Sequence, residues 1–248
     1  MFKNYFTSLS LMTLWMFLFA CNPLGEDENI ERQKDTGYDP VIQQLNFVDS
    51  ITNPYWPMRV GNTWKYENTD EEAVETIDIE VLEEKKQIMG ITCTVVRDRV
   101  YEEGKLVEDT YDWFAQDKAG NVWYMGEDSR EMDGDKIINY EGSWEAGVDG
   151  AKPGIVMWAN PFPGIPYRQE YYFDEAEDWG QVVEILPSMN IGDTTYQNVV
   201  KTKEWTPLEK DHTENKYYAP GVGLIKEQVL TGGTGMLELK EFKESDSK

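Results

Sequence analysis

The feature that most constrains this chain is an alternation with period two. In Thr76-Ile77-Asp78-Ile79-Glu80-Val81 polar and apolar residues take turns. A strand points successive side chains to opposite faces, so Ile77, Ile79 and Val81 share one side. Comparable runs recur at 91–100, 106–114 (Val107, Tyr111 and Trp113 on one face), 122–125, 136–140, 167–173, 180–186, 197–205, 215–219, 224–230 and 236–242. Turn chemistry separates them: Lys85-Lys86-Gln87, Glu102-Glu103-Gly104-Lys105, Asp117-Lys118-Ala119-Gly120-Asn121, Asp133-Gly134-Asp135 and Thr231-Gly232-Gly233-Thr234-Gly235. Glycine, asparagine and aspartate tolerate the positive φ that tight turns demand. No stretch keeps helical spacing over three turns. The expected fold is therefore mainly β: one antiparallel meander forming a curved sheet or half-barrel, with at most one or two short helices.

A long meander must close on itself or cover a face, because an open edge invites pairing with other chains. Eight of the nine tryptophans follow Pro54. Aromatic residues at alternate positions predict a curved sheet with an aromatic concave side, which either packs as a core of large residues or leaves a ligand groove. Residues 142–166 break the strand rhythm with Gly147, Gly150, Pro153, Gly154, Pro161, Pro163, Gly164 and Pro166, and read as a long ordered loop. Trp144, Trp158 and Phe162 within it are the candidate ligand-binding residues.

The amino-terminal end is of a different kind. Residues 1–20 carry one charge, Lys3, and from Leu9 to Ala20 the run is nearly all large and apolar. An apolar stretch of about 12 residues is too short to span a bilayer and suits a signal peptide. It closes on Leu18-Phe19-Ala20-Cys21, which resembles a lipobox, the cleavage and acylation signal of bacterial lipoproteins. The resemblance implies lipid attachment at Cys21 and a division into a signal peptide (1–20), an acidic tether (21–53) and a β domain (54–248). Within the tether, Gly25-Glu26-Asp27-Glu28-Asn29 resembles the surface-export signals of some lipoproteins, and residues 41–48 can form a short helix or strand docked on the body. The expected address is the bacterial outer membrane or cell envelope, on the periplasmic or the surface side.

Charge narrows the partners. The formal net charge is −24; without Lys3, 22 basic residues stand against 47 acidic ones, giving −25. Nucleic acid needs a Lys/Arg face, so it is excluded. Electrostatic adsorption to anionic headgroups is excluded too. Lipid would hold the protein, since each buried methylene contributes about 0.8 kcal/mol.

Three blocks resemble the strand–turn–strand units of uncharacterised bacterial secreted proteins and lipoproteins. They are Pro57-Met58-Arg59-Val60-Gly61-Asn62-Thr63-Trp64-Lys65-Tyr66-Glu67, Ile191-Gly192-Asp193-Thr194-Thr195-Tyr196-Gln197-Asn198-Val199-Val200-Lys201-Thr202 and Lys216-Tyr217-Tyr218-Ala219-Pro220-Gly221-Val222-Gly223-Leu224-Ile225-Lys226-Glu227. These are similar in style to the half-barrels of lipoprotein carriers of the LolA/LolB kind. The resemblance implies a β fold and an envelope address, and brings no catalytic residue or cofactor.

Reactive constellations are few. His212, the lone histidine, lies in the polar run Glu209-Lys210-Asp211-His212-Thr213-Glu214, read as an exposed turn, which rules out zinc sites with several imidazoles. No G-x-S-x-G occurs. Cys93, between Thr92 and Thr94, reads as a small buried hydrophobe with no partner for a disulfide. Carboxylates are plentiful, and glycoside hydrolysis needs only two of them. Asp133 and Asp135 are the candidate metal ligands, although position twelve after Asp133 is Trp144, where a calcium loop needs glutamate. The reading that follows is a non-catalytic, lipid-anchored domain that binds an apolar or protein ligand or serves as a scaffold. A carbohydrate-binding or carbohydrate-active module and a calcium-stabilised module are the alternatives.

Overall fold

The computed structural model describes residues 34–35, 37–69 and 74–245. Cys21 and the signal segment lie outside them. Seventeen strands follow one 3-10 turn at Gln44–Asn46. They are β1 (Phe47–Val48), β2 (Thr63–Thr69), β3 (Val74–Ile88), β4 (Ile91–Glu102), β5 (Lys105–Asp117), β6 (Val122–Asp128), β7 (Glu131–Asp133), β8 (Lys136–Asn139), β9 (Trp144–Glu145), β10 (Lys152–Met157), β11 (Tyr167–Arg168), β12 (Glu170–Tyr171), β13 (Trp179–Ile191), β14 (Thr194–Trp205), β15 (Thr213–Ala219), β16 (Gly223–Thr231) and β17 (Met236–Lys243). No α-helix occurs among the described residues.

Two antiparallel meanders, β2 to β6 and β13 to β17, make most of the wall. They meet along two seams. At one, β17 pairs with β2, Phe242 opposite Trp64 and Leu237 opposite Asn68. At the other, β6 pairs with β10, β10 with β12, and β11 with β13. β11 and β12 are halves of one short strand broken at Gln169, whose amide donates to the Asp178 carbonyl at 2.8 Å. One half faces each neighbour, and the sheet comes round into a barrel.

Turn positions differ from expectation in one place. Lys85-Lys86-Gln87 stays inside β3, because a bulge between Val81 and Lys85 resets the register. The reversal falls at Met89 (φ 51°) and Gly90 (φ 76°), two consecutive left-handed residues of the kind that close a two-residue hairpin.

The stretch 142–166 is also not one loop. It contains β9 and β10, hidden in the sequence by Pro153-Gly154. Gly154 is required there: a Cβ on it would lie 2.3 Å from the Gln169 carbonyl carbon, so only glycine lets the two strands approach.

Facing inverts a second expectation. On β5 the side chains turned into the barrel are Glu108, Thr110, Asp112 and Phe114, while Tyr111 faces outward beneath Arg97 and Arg130, and Trp113 beneath Lys86. The interior is filled across its width by rings. Tyr124 stacks on Phe114 (4.9 Å between centroids), Phe114 meets Trp56 (5.3 Å), and Trp56 meets Tyr218 on the opposite wall (5.8 Å). Trp56 reaches this position because residues 49–62 fold over one end of the barrel. Asn53 Nδ2 donates to the Gly120 and Trp158 carbonyls, and Gly221 N to the Pro54 carbonyl. Ahead of this plug, β1 pairs with β5.

Candidate functional site

Inward-facing positions at period two place acids among the core rings, and they form two groups. The first lies on β4, β5, β6 and β12: Asp98, Glu108, Asp112, Glu127 and Glu170. All are buried, Asp98 to 1% and Asp112 to 0% exposure. Tyr124 Oη donates to Asp112 Oδ1 at 2.6 Å and Thr110 Oγ1 to Glu108 Oε1 at 2.8 Å. Neither oxygen of Asp98 has a hydrogen-bond partner among the described residues. Burial is the main cause that pushes these groups toward the neutral acid. It lifts Glu108 to about 8 and Asp112 to about 7, and it holds Asp98, Glu127 and Glu170 well above the ordinary range, with their mutual repulsion adding to it.

The second group surrounds Lys216 on β15. Its Nζ lies 3.0 Å from Glu214 Oε1, 3.2 Å from Glu204 Oε2 and 3.6 Å from Glu227 Oε2, with every partner buried. Cross-strand register does this: Lys216 stands opposite Thr202 on β14 and opposite Glu227 on β16, and Glu204 stands opposite Glu214. Burial opposes the ammonium charge, but the three carboxylates outweigh it and raise the Lys216 pKa. Burial likewise works against ionised Glu214, yet Lys216 and His212 bring it down to about 2. Glu227 goes the other way: burial and then Glu214 keep it protonated. Asp178, lifted to about 7 by burial and partly relieved by Lys216, stands between the two groups.

His212, expected in an exposed turn, is buried. Its Nδ1 lies 3.8 Å from Glu209 Oε2 and its Nε2 3.7 Å from Glu214 Oε2. The acids on either side of it in sequence fold back around the ring.

The pocket that opens beside the central rings has little room for a guest. The apolar pocket beside Trp56, lined by Tyr55, Met58, Trp64 and Leu224 among others, has a volume of about 10 Å³. One water needs that much, and a small-molecule ligand needs roughly 300 Å³ or more. A larger hollow of about 460 Å³ lies on the outer wall between Lys65, Glu67, Asp78, Tyr101 and Lys240. Its charges already pair, Lys65 with Asp78 and Lys240 with Glu67, both at 3.3 Å.

The residues singled out by sequence occupy separate environments. Trp144 is buried edge-on to Tyr124, at 5.3 Å. Trp158 is partly exposed and edge-on to Tyr167, at 5.4 Å. Phe162 stands 71% exposed. Asp133 and Asp135 flank Gly134 at the exposed tip of the β7–β8 hairpin, and no group of three or more His, Cys, Asp or Glu among the described residues is arranged to hold a metal ion. Cys93 is fully buried, with burial pushing its thiol up to about 12.

On the outer wall Trp179 and Trp205 lie parallel, 4° apart in plane and 6.3 Å between centroids. Arg168 caps Trp179 at 4.3 Å and Lys203 lies over Trp205 at 5.9 Å, so cations occupy ring faces that a sugar platform would present.

Sequence reasoning passed over Asp98, Asp112 and Lys216. The available signal was their phase. Thr110-x-Asp112-x-Phe114 and Glu214-x-Lys216-x-Tyr218 each put a charge on the same face as a core ring.

No family model matches the chain, and no curated protein does. Two solved structures are similar to it. One is a candidate exported protein of Bacteroides fragilis NCTC 9343 with a YmcC-like fold, at TM-score 0.48 and 14% identity, covering 78% of this chain and 100% of that one. The other is a candidate lipoprotein of Parabacteroides distasonis ATCC 8503, at TM-score 0.36 and 12% identity, with the same coverage. Likenesses this distant assign neither a role nor a ligand. Fold and interior together define an antiparallel β-barrel with a plugged, ring-packed and carboxylate-rich core.

Proposed function

We propose that this chain is a lipid-anchored bacterial envelope lipoprotein whose barrel is a non-catalytic scaffold or binding domain acting through its outer surface. The observation that carries the reading is the filled interior. A carrier of the LolA/LolB kind must house acyl chains, and a pocket of about 10 Å³ cannot. An enzyme working through two carboxylates must present them to substrate, and Asp98, Asp112, Glu127 and Glu170 are sealed behind the wall. What remains available to a partner is the outside. The anchor rests on Leu18-Phe19-Ala20-Cys21.

Two measurements test this. Intact mass spectrometry of the native protein should give a mature chain starting at Cys21 and carrying acyl groups, and Cys21→Ala should move the protein out of the membrane fraction. A mature start elsewhere, or unchanged fractionation of the variant, refutes the anchor. For the outer-surface reading, a native mass or calorimetric screen of the purified barrel against lipids should show no stoichiometric apolar guest. A tightly retained acyl chain would refute it.

A further inference from the structure

The longest interval without charge in the described part of this chain runs from Pro153 to Tyr167, in a sequence that is 28% charged. Its first half is the buried strand β10. Its second half leaves the barrel as Asn160-Pro161-Phe162-Pro163-Gly164-Ile165-Pro166, and there Phe162 is 71% and Ile165 86% exposed. The body fixes this protrusion at both ends. Ala159 N donates to Asn121 Oδ1 at 2.9 Å, Gly164 N donates to the Val182 carbonyl at 3.2 Å, and Gln181 Nε2 donates to the Gly164 carbonyl at 2.8 Å. Pro161 and Pro163 restrict the backbone between those ties, and Pro166 restricts it beyond Gly164. Two large apolar side chains are therefore held out in water by a braced loop.

The position of the loop relative to the anchor says what covers it. Asp35, near the start of the described chain, bonds Arg168 at 3.3 Å, and Arg168 is three residues beyond Ile165. Tyr38 adds a bond from its hydroxyl to the Pro153 carbonyl at 2.7 Å. Fourteen residues separate Cys21 from Asp35, which limits their separation to about 50 Å whatever their conformation. The wall beside the loop carries the half-buried Trp179 and Trp205, with the half-buried Lys203 laid against Trp205. Amphipathic rings with a nearby cation suit the headgroup level of a bilayer.

We infer that Phe162 and Ile165 dip into the same bilayer that carries the lipid on Cys21, seating the barrel on the membrane in one orientation. This rests on the anchor proposed above. Two side chains are a weak attachment for a free protein, and the tether makes it effective by keeping the loop within reach of the surface.

The test uses the full lipidated chain, extracted from the envelope and reconstituted in vesicles of phosphatidylethanolamine with a minor share of phosphatidylglycerol. Phe162→Cys, Ile165→Cys and, at the β7–β8 tip, Asp135→Cys each receive a nitroxide; Cys93 is buried and Cys21 acylated, so the introduced thiol takes the label. At 162 and 165 the accessibility to oxygen relative to a water-soluble nickel complex should rise severalfold on reconstitution, and at 135 it should stay that of water. Water-like values at 162 and 165 on a protein that still floats with the vesicles overturn the seating and leave the anchor standing. A protein that does not float overturns the anchor itself. A label shielded from both reagents in native envelopes but water-like in vesicles means a protein covers the loop, which also overturns the lipid seat.

Discussion

The two acid groups inside the barrel lie at nearly the same depth, yet Glu214 beside Lys216 and Asp112 across the interior are driven to opposite states. Around Lys216, one ammonium lets Glu214 stay ionised down to about pH 2. Across the interior, Asp98, Glu108, Asp112, Glu127 and Glu170 form no ion pair among the described residues, and desolvation is the main cause that favours the protonated form. A carboxyl in a protein core is thus not one kind of object. Its neighbour within hydrogen-bond distance decides whether it is an anion or a neutral acid, and the choice sets how stability responds to pH.

The largest effect should come from breaking the charged side. Lys216→Met leaves Glu204 and Glu214 buried without their cation, and breaking a buried pair in this way costs about 3–5 kcal/mol. Urea unfolding at neutral pH reads it; a loss below about 1 kcal/mol would mean that the three carboxylates do not depend on the ammonium.

Alkali should break the neutral side. Glu108 has a folded pKa of about 8 against an ordinary 4.5, so between those values the folded state holds a proton that the unfolded chain has released. Stability is then fully present below about pH 4.5 and falls as pH climbs to about 8, with a limiting slope of roughly 1.4 kcal/mol per pH unit for each such group. Asp112 adds to the same trend up to about 7. Melting temperature measured from pH 5 to pH 9 should decline; a rise over that range contradicts the assignment.

Acid should find the other side. Glu214 is depressed from 4.5 to about 2, so its contribution is present above pH 4.5 and disappears as pH falls through 2. Glu214→Gln should flatten the stability curve there while costing about 1–3 kcal/mol at neutral pH, because a charge-assisted bond to Lys216 is lost. An acid limb as steep in the variant as in the wild type would remove Glu214 from the account.

The smallest change should be Asp98→Asn. It removes an ionisable group whose oxygens have no hydrogen-bond partner among the described residues. At pH 5 the effect should be near zero; toward pH 9 the variant should lose less stability than the wild type, since an amide has no proton to give up and no charge to bury. Equal effects at both pH values would show that Asp98 does not titrate in that range.

Much of the wall could be read from the chain. The runs at 91–100, 106–114, 197–205 and 236–242 became β4, β5, β14 and β17, because alternation and turn residues are local properties. What stayed hidden depends on contacts between distant residues. The inward turn of β5 defeated the assumption that the apolar side faces the core, since Tyr111 and Trp113 find cover outside under Arg97, Arg130 and Lys86. β10 was masked by Pro153-Gly154, whose glycine answers to a strand it meets only in the folded state. His212 read as solvent-exposed because its neighbours are polar, and those same neighbours bury it. The acid groups were illegible as pairs, since nothing in 47 scattered carboxylates says which will meet.

The seam between β2 and β17 joins the first long strand to the last, from Thr63–Lys243 to Thr69–Met236. Such far-separated pairing must wait for nearly the whole polypeptide, and closing so long a loop makes assembly slow. A chain synthesised on one side of a membrane and needed on the other gains from that delay. Under the export proposed above, the chain would stay threadable through a translocation channel until its carboxy-terminal strand had been released, and take its shape on arrival.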